Sequence, residues 1–108
     1  IDKLVERTIH GGREIVDLLK KGSAFYAPSA GIARMAESIV LDKKETLPCA
    51  ALLDGEYGIT DSVIGVPVKL GKGGIEQIVE FDLTAEEKKL LYDSAEGVKE
   101  LIKQMGLK

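Results

Sequence analysis

The sequence predicts an α+β fold: two N-terminal helices, a three-stranded antiparallel sheet and a C-terminal helix. Three observations predict it. Apolar residues recur at the helical period as far as about Asp42, and from Leu47 they alternate between turns containing Gly and Pro. At Thr84 a capping sequence opens a new helical stretch.

The first helix is expected over Asp2–Lys20. Leu4, Val5, Thr8, Ile9, Gly12, Ile15, Val16 and Leu19 form its apolar stripe, while Asp2, Lys3, Glu6, Arg7, Arg13, Glu14 and Asp17 occupy the rest of its surface. Gly22 is its expected C-cap, because a left-handed glycine commonly ends a helix, and Lys20 and Lys21 suit the negative end of the dipole. Ser23–Pro28 reads as a short connection, or as a tight first turn in which Pro28 is tolerated because early N–H groups lack helical partners. Ile32, Met35, Ala36, Ile39 and Val40 mark a second helix ending near Asp42.

Strands are expected at Leu47–Leu53, Ser62–Leu70 and Ile75–Phe81. In the second, Val66, Val68 and Leu70 share a face; Pro67 lies off it and points to an edge position, where a missing N–H is harmless. Asp54-Gly55 and Gly71-Lys72-Gly73-Gly74 supply the turns, so an antiparallel meander is more economical than parallel crossovers. Thr84-Ala85-Glu86-Glu87 is a capping box, with the Thr84 hydroxyl accepting from the Glu87 N–H and the Glu87 carboxylate accepting from Thr84. The helix it opens carries Leu90, Leu91, Ser94, Ala95, Val98, Leu101, Ile102 and Met105 as its expected buried stripe, and Gly106 ends it.

Composition narrows the function classes. With 108 residues, 44% hydrophobic and 31% charged, the chain fits one folding unit with a core. Its formal charge of −3 leaves no net positive field for phosphates, which argues against a general nucleic-acid binder. No apolar run approaches the roughly 20 residues of a membrane span, so no membrane partner is expected and a cytoplasmic location is the default. The sequence opens at Ile1, inside an amphipathic pattern and without an initiator Met, which suggests a fragment.

Few residues offer chemistry. His10 is the only histidine and reads as a surface helical residue rather than a general base. Cys49, the only cysteine, lies in an apolar strand with no basic neighbour to activate it, and reads as a small buried hydrophobe. Gly71-Lys72-Gly73-Gly74 joins two strands, whereas a phosphate loop joins a strand to a helix, so a hairpin turn is the better reading. Gly11-Gly12 is the local inconsistency. Each glycine costs a helix interior roughly 1 kcal/mol relative to Ala, so the pair implies a kink, a close helix crossing or a pocket wall cleared of side chains.

Four stretches carry a resemblance that spans the chain. They are Glu6-Arg7-Thr8 through Gly11-Gly12 to Glu14-Ile15-Val16; Gly22 to Pro28; Leu47-Pro48-Cys49-Ala50 leading to Gly55-Glu56-Tyr57-Gly58; and Val63 to Glu76. Their order and spacing resemble the carboxy-terminal part of the malate dehydrogenases of the lactate-dehydrogenase-like branch of the lactate/malate dehydrogenase family.

The resemblance implies an NAD-dependent enzyme interconverting malate and oxaloacetate, of which residues 1–108 form the C-terminal part of the substrate domain. It also implies that the NAD-binding Rossmann half, the catalytic His–Asp pair and the substrate-clamping Arg residues precede Ile1. This segment alone would then bind no cofactor and no metal and would hold no catalytic residue; His10 does not match the family's catalytic position. Gly11, Gly12, Ala24 and Pro28 resemble wall positions of the substrate pocket, where small side chains leave room for a second carboxylate. The implied partners are the N-terminal half, a small dicarboxylate substrate and further copies in a homo-oligomer, with the first two helices as interface elements. The alternative from another class is a free-standing, non-catalytic binding or oligomerisation module.

Overall fold

A computed structural model of the chain describes residues 1–107. It contains helix α1 (Asp2–Leu19), helix α2 (Tyr26–Val40), strand β1 (Glu45–Asp54), a single 3-10 turn (Glu56–Gly58), strand β2 (Thr60–Gly71), strand β3 (Gly74–Ile78) and helix α3 (Ala85–Gln104). The α+β class, the helix order and the antiparallel meander are as the periodicity predicts. Where composition suggested one folding unit, contacts cluster into two, Ile1–Ala36 and the stretch from Glu37 onward.

In the first unit, α1 ends earlier than the glycine signal suggested. Its left-handed C-cap is Lys20, φ 58°, whose N–H bonds to the Val16 carbonyl. Gly22 also has positive φ but lies beyond the helix in the connection. None of the α1 residues is buried, and its apolar stripe is exposed, with Leu4 70% and Ile9 72% exposed. Pro28 is the third residue of α2; the first helical bond there runs from Ser29 N to Phe25 O, so the missing proline N–H leaves no gap in the ladder.

The second unit is built on the sheet, ordered β1-β2-β3 with both pairings antiparallel. Alternation sends Leu47, Cys49, Ala51 and Leu53 of β1, with Ile64, Val66, Val68 and Leu70 of β2, to one buried face. Helix α3 packs on β2, where buried Ser62 donates its hydroxyl to the Ala95 carbonyl at 3.2 Å. Ser38, fully buried at the end of α2, donates to the Leu70 carbonyl at 2.8 Å and accepts from Glu45 N, tying that helix end to the sheet margin.

Four details correct the sequence expectations. First, Pro67 is on the central strand, not an edge strand. It stands opposite Pro48, and its carbonyl accepts from Val79 N just past the end of β3. Its ring nitrogen therefore faces the side where β3 has stopped, and no ladder bond is lost. Second, β3 covers Gly74–Ile78 rather than Ile75–Phe81. The Tyr57 hydroxyl captures the next groups, donating to Val79 O at 2.8 Å and accepting from Phe81 N at 3.0 Å.

Third, the buried stripe of α3 is narrower than expected. Ala95 is its only buried residue, flanked by half-buried Leu91, Val98 and Ile102, whereas Leu90, Leu101 and Met105 are exposed. Fourth, β1 and β2 run longer than their apolar cores. Their register slips at Leu53/Asp54, where Asp61 takes a left-handed φ of 55° as the extra residue of a bulge. The capping box at Thr84 and Glu87 forms as expected, and Gly106 turns the chain with φ 68° after α3.

Candidate functional site

All four wall residues named by the sequence reading lie in the first unit. Gly11 and Gly12 occupy the middle of α1, Ala24 the connection after it, and Pro28 the first turn of α2. Gly11 is half-buried and lines a groove of about 380 Å³ with Leu4, Arg7, Thr8, Glu14, Ile15 and Leu18, which is the α1 face spaced by three and four residues. Gly12, Ala24 and Pro28 do not line that groove; Gly12 and Pro28 are exposed and Ala24 is half-buried.

A Cβ built at Gly11 or at Gly12 meets no heavy atom within 4 Å. The helix is continuous through both, so no kink accounts for them. No heavy atom of the described residues approaches the space that a Cβ would fill at either position.

One feature of this surface was missed in the sequence. Arg7 donates to Glu14 through Nη2 at 3.0 Å and through Nε at 3.3 Å, a two-bond ion pair spanning seven residues along the groove. The hydrogen bond from Arg7, with its charge, holds the Glu14 carboxyl below the usual carboxylate range. A seven-residue spacing is outside the three- and four-residue pairs a helix pattern advertises, so no simple signal marks it. Position 11 lies between the two on this face and carries no side chain.

Other candidates resolve as structural. His10 is exposed on α1 beside Arg13 and Asp17. Cys49 is buried, and burial pushes its thiol pKa up, away from a reactive thiolate. Gly71 and Gly74 pair across the β2–β3 hairpin, Gly74 with φ 87°, and the Lys72 N–H is taken by Asp42 Oδ1 at 2.9 Å. That turn lacks the strand-to-helix geometry that would aim backbone N–H groups at a pyrophosphate, so it does not fit a dinucleotide. Among the described residues no group of three or more His, Cys, Asp or Glu could hold a metal ion, and no helix is long and apolar enough to cross a membrane.

Comparison with known proteins gives one consistent family. Residues 1–107 match the family described as lactate/malate dehydrogenase, alpha/beta C-terminal domain. A malate dehydrogenase of Rhodopirellula baltica is 52% identical over 105 residues, covering 97% of this chain and 33% of that protein. The crystal structure of the malate dehydrogenase from Salinibacter ruber superposes with a TM-score of 0.87 at 50% identity, over 97% of this chain and 36% of its own. The lactate dehydrogenase from Eimeria maxima, solved with NADH and oxamate, gives a TM-score of 0.93 at 42% identity, over 98% of this chain and 33% of its own. The chain thus spans about a third of the length of the relatives it matches.

Proposed function

This chain belongs to the lactate/malate dehydrogenase family, as its alpha/beta C-terminal domain, and from that premise we propose that it is the C-terminal part of the substrate domain of an NAD-dependent malate dehydrogenase. The complete enzyme would interconvert malate and oxaloacetate. Its NAD-binding half, catalytic acid–base pair and carboxylate clamps would lie outside these residues. The observation that carries the reading is the identity to malate dehydrogenases, at half or more of positions, over nearly the whole chain.

In this reading Gly11, Gly12, Ala24 and Pro28 contribute a pocket wall with room for the second carboxylate of the substrate. A Cβ would meet nothing within 4 Å at either glycine, which is compatible with a ligand approaching the helix there. The exposed apolar face of α1 supports subunit contacts in a homo-oligomer. The likeness to the Eimeria enzyme favours a second reading, in which the substrate is a 2-oxo acid with one carboxylate.

The test is the initial rate of NADH oxidation by the complete polypeptide with oxaloacetate. Saturable turnover is the expected result. Absence of turnover with oxaloacetate, in a folded polypeptide that binds NADH, would overturn the proposed reaction.

A further inference from the structure

We propose that Arg7 and Glu14 are positioning residues for the substrate: their ion pair braces α1 across Gly11 and Gly12, and so fixes the wall that those glycines are proposed to form. The inference rests on the reading of that wall as part of a dicarboxylate pocket, on which Arg7 and Glu14 would act without touching the substrate.

The need for a brace comes from α1 itself. Each interior glycine lowers the local stability of a helix about fourfold to fivefold relative to Ala, and here two are adjacent. Among the described residues little else on α1 offsets them. No α1 residue is buried, and its N-cap, Ile1, makes no side-chain cap bond. The Thr8 hydroxyl donates to the Leu4 carbonyl at 2.7 Å, a back-bond that does not strengthen a helix. Arg13 and Asp17, 4.0 Å apart, form an ordinary one-turn pair that begins beyond the glycines. Yet the helix runs unbroken through both.

The Arg7–Glu14 pair is placed to supply what is missing. Seven residues span about 10 Å of helix, and this span contains both glycines. Its two bonds, 3.0 and 3.3 Å, must both stretch or break if the helix opens between them. Exposed ion pairs usually contribute little, but a two-bond arginine–carboxylate geometry is the exception. Gly11 also gives the pair its path. Residues 7, 11 and 14 share one helix face, and a Cβ at position 11 would meet nothing within 4 Å, whereas a long side chain there would stand between the two charges. The glycine that weakens the helix thus clears the way for the pair that restrains it.

The test uses the complete polypeptide and compares Glu14→Gln, Arg7→Gln and the swapped pair, Arg7→Glu with Glu14→Arg. The first readout is amide hydrogen exchange across residues 8–14, with α3 as the internal reference. Each single variant should speed it about threefold to fivefold, the upper range for a surface pair, and the swapped pair should return it to the parent rate. The second readout is the split between KM and kcat. Loosening a wall that receives the second carboxylate should raise KM for oxaloacetate by a similar factor, with kcat and the KM for NADH held within about twofold, and the swapped pair should restore it. A purely structural role would instead reduce the folded fraction, lowering kcat at constant KM. Amide exchange unchanged in the single variants would overturn the brace, and faster exchange at constant KM would overturn the positioning role. A raised KM that the swapped pair fails to restore would give Arg7 or Glu14 a contact of its own and overturn the proposal as well. The parent enzyme reads separately: if it turns over pyruvate but not oxaloacetate, the dicarboxylate wall fails, while faster exchange in the single variants leaves the brace standing.

Discussion

At the residue scale the glycine pair joins local physics to the proposed site. A Cβ at position 12 meets no heavy atom within 4 Å, and Gly12→Leu replaces a poor helix former with a good one, so α1 should gain stability by about 0.5–1 kcal/mol. In the complete enzyme the same leucine would stand in the proposed pocket, and a displacement of the substrate near an ångström costs on the order of a hundredfold in rate. The expected outcome is a melting temperature unchanged or raised, with kcat/KM for oxaloacetate lowered by that order. A variant within a few-fold of the parent would remove Gly12 from the wall. Tyr57 makes a purely structural contrast. It holds a left-handed φ of 55°, its hydroxyl bridges Val79 O and Phe81 N, and its carbonyl accepts from the Tyr92 hydroxyl at 3.1 Å. Tyr57→Phe deletes both hydroxyl bonds and should cost about 1–2 kcal/mol in urea titration. The loss of amide protection should centre on Phe81, with the β1–β2 ladder unaffected.

At the element scale, the sequence disclosed elements well and their ends poorly, and the reasons are physical. Periodicity located all three helices and all three strands because each depends on its own residues. The end of β3 depends on a hydroxyl more than twenty residues upstream, and the harmlessness of Pro67 depends on where β3 stops, so neither is written locally. The cap of α3 was legible because its parts are three residues apart. Thr84→Ala should cost about 1 kcal/mol, as loss of a side-chain cap does. The cap is also acid-sensitive. The Thr84 backbone N–H, and then its hydroxyl, hold the Glu87 carboxyl below the usual carboxylate range. A lowered folded-state pKa contributes stability that is present above the unfolded value, about 4.3, and is lost as pH falls through the folded one. Helix content followed by circular dichroism should fall through that acid window, and Glu87→Gln should flatten its limb.

At the scale of the whole molecule, much apolar surface lies in contact with solvent: the α1 stripe, the outer sheet face, and Leu90, Leu101 and Met105 of α3. Scattered apolar residues are ordinary, but contiguous faces on several elements mark surfaces built to be covered. The 108-residue chain alone should therefore bind a hydrophobic dye and self-associate, measured by fluorescence and sedimentation. A monomeric, dye-negative species would show these faces to be individually tolerated. The candidate site was legible only in part, for the same reason. The oddity of Gly11-Gly12 could be read from helix propensity, but the proposed places of Ala24 and Pro28 came from family resemblance, and the groups proposed to act on a substrate are placed by that resemblance outside these residues.

The central claim is that this domain serves a dicarboxylate-specific dehydrogenase, and substrate discrimination tests it most directly. The measurement is the ratio of kcat/KM for oxaloacetate to that for pyruvate in the complete polypeptide with NADH. A site that pairs the second carboxylate should favour oxaloacetate by at least about a hundredfold, since a charge-assisted hydrogen bond contributes roughly 1.5–3 kcal/mol and the unpaired site is penalised further. A ratio near one, or one favouring pyruvate, would contradict the account and move the chain to the lactate side of its family.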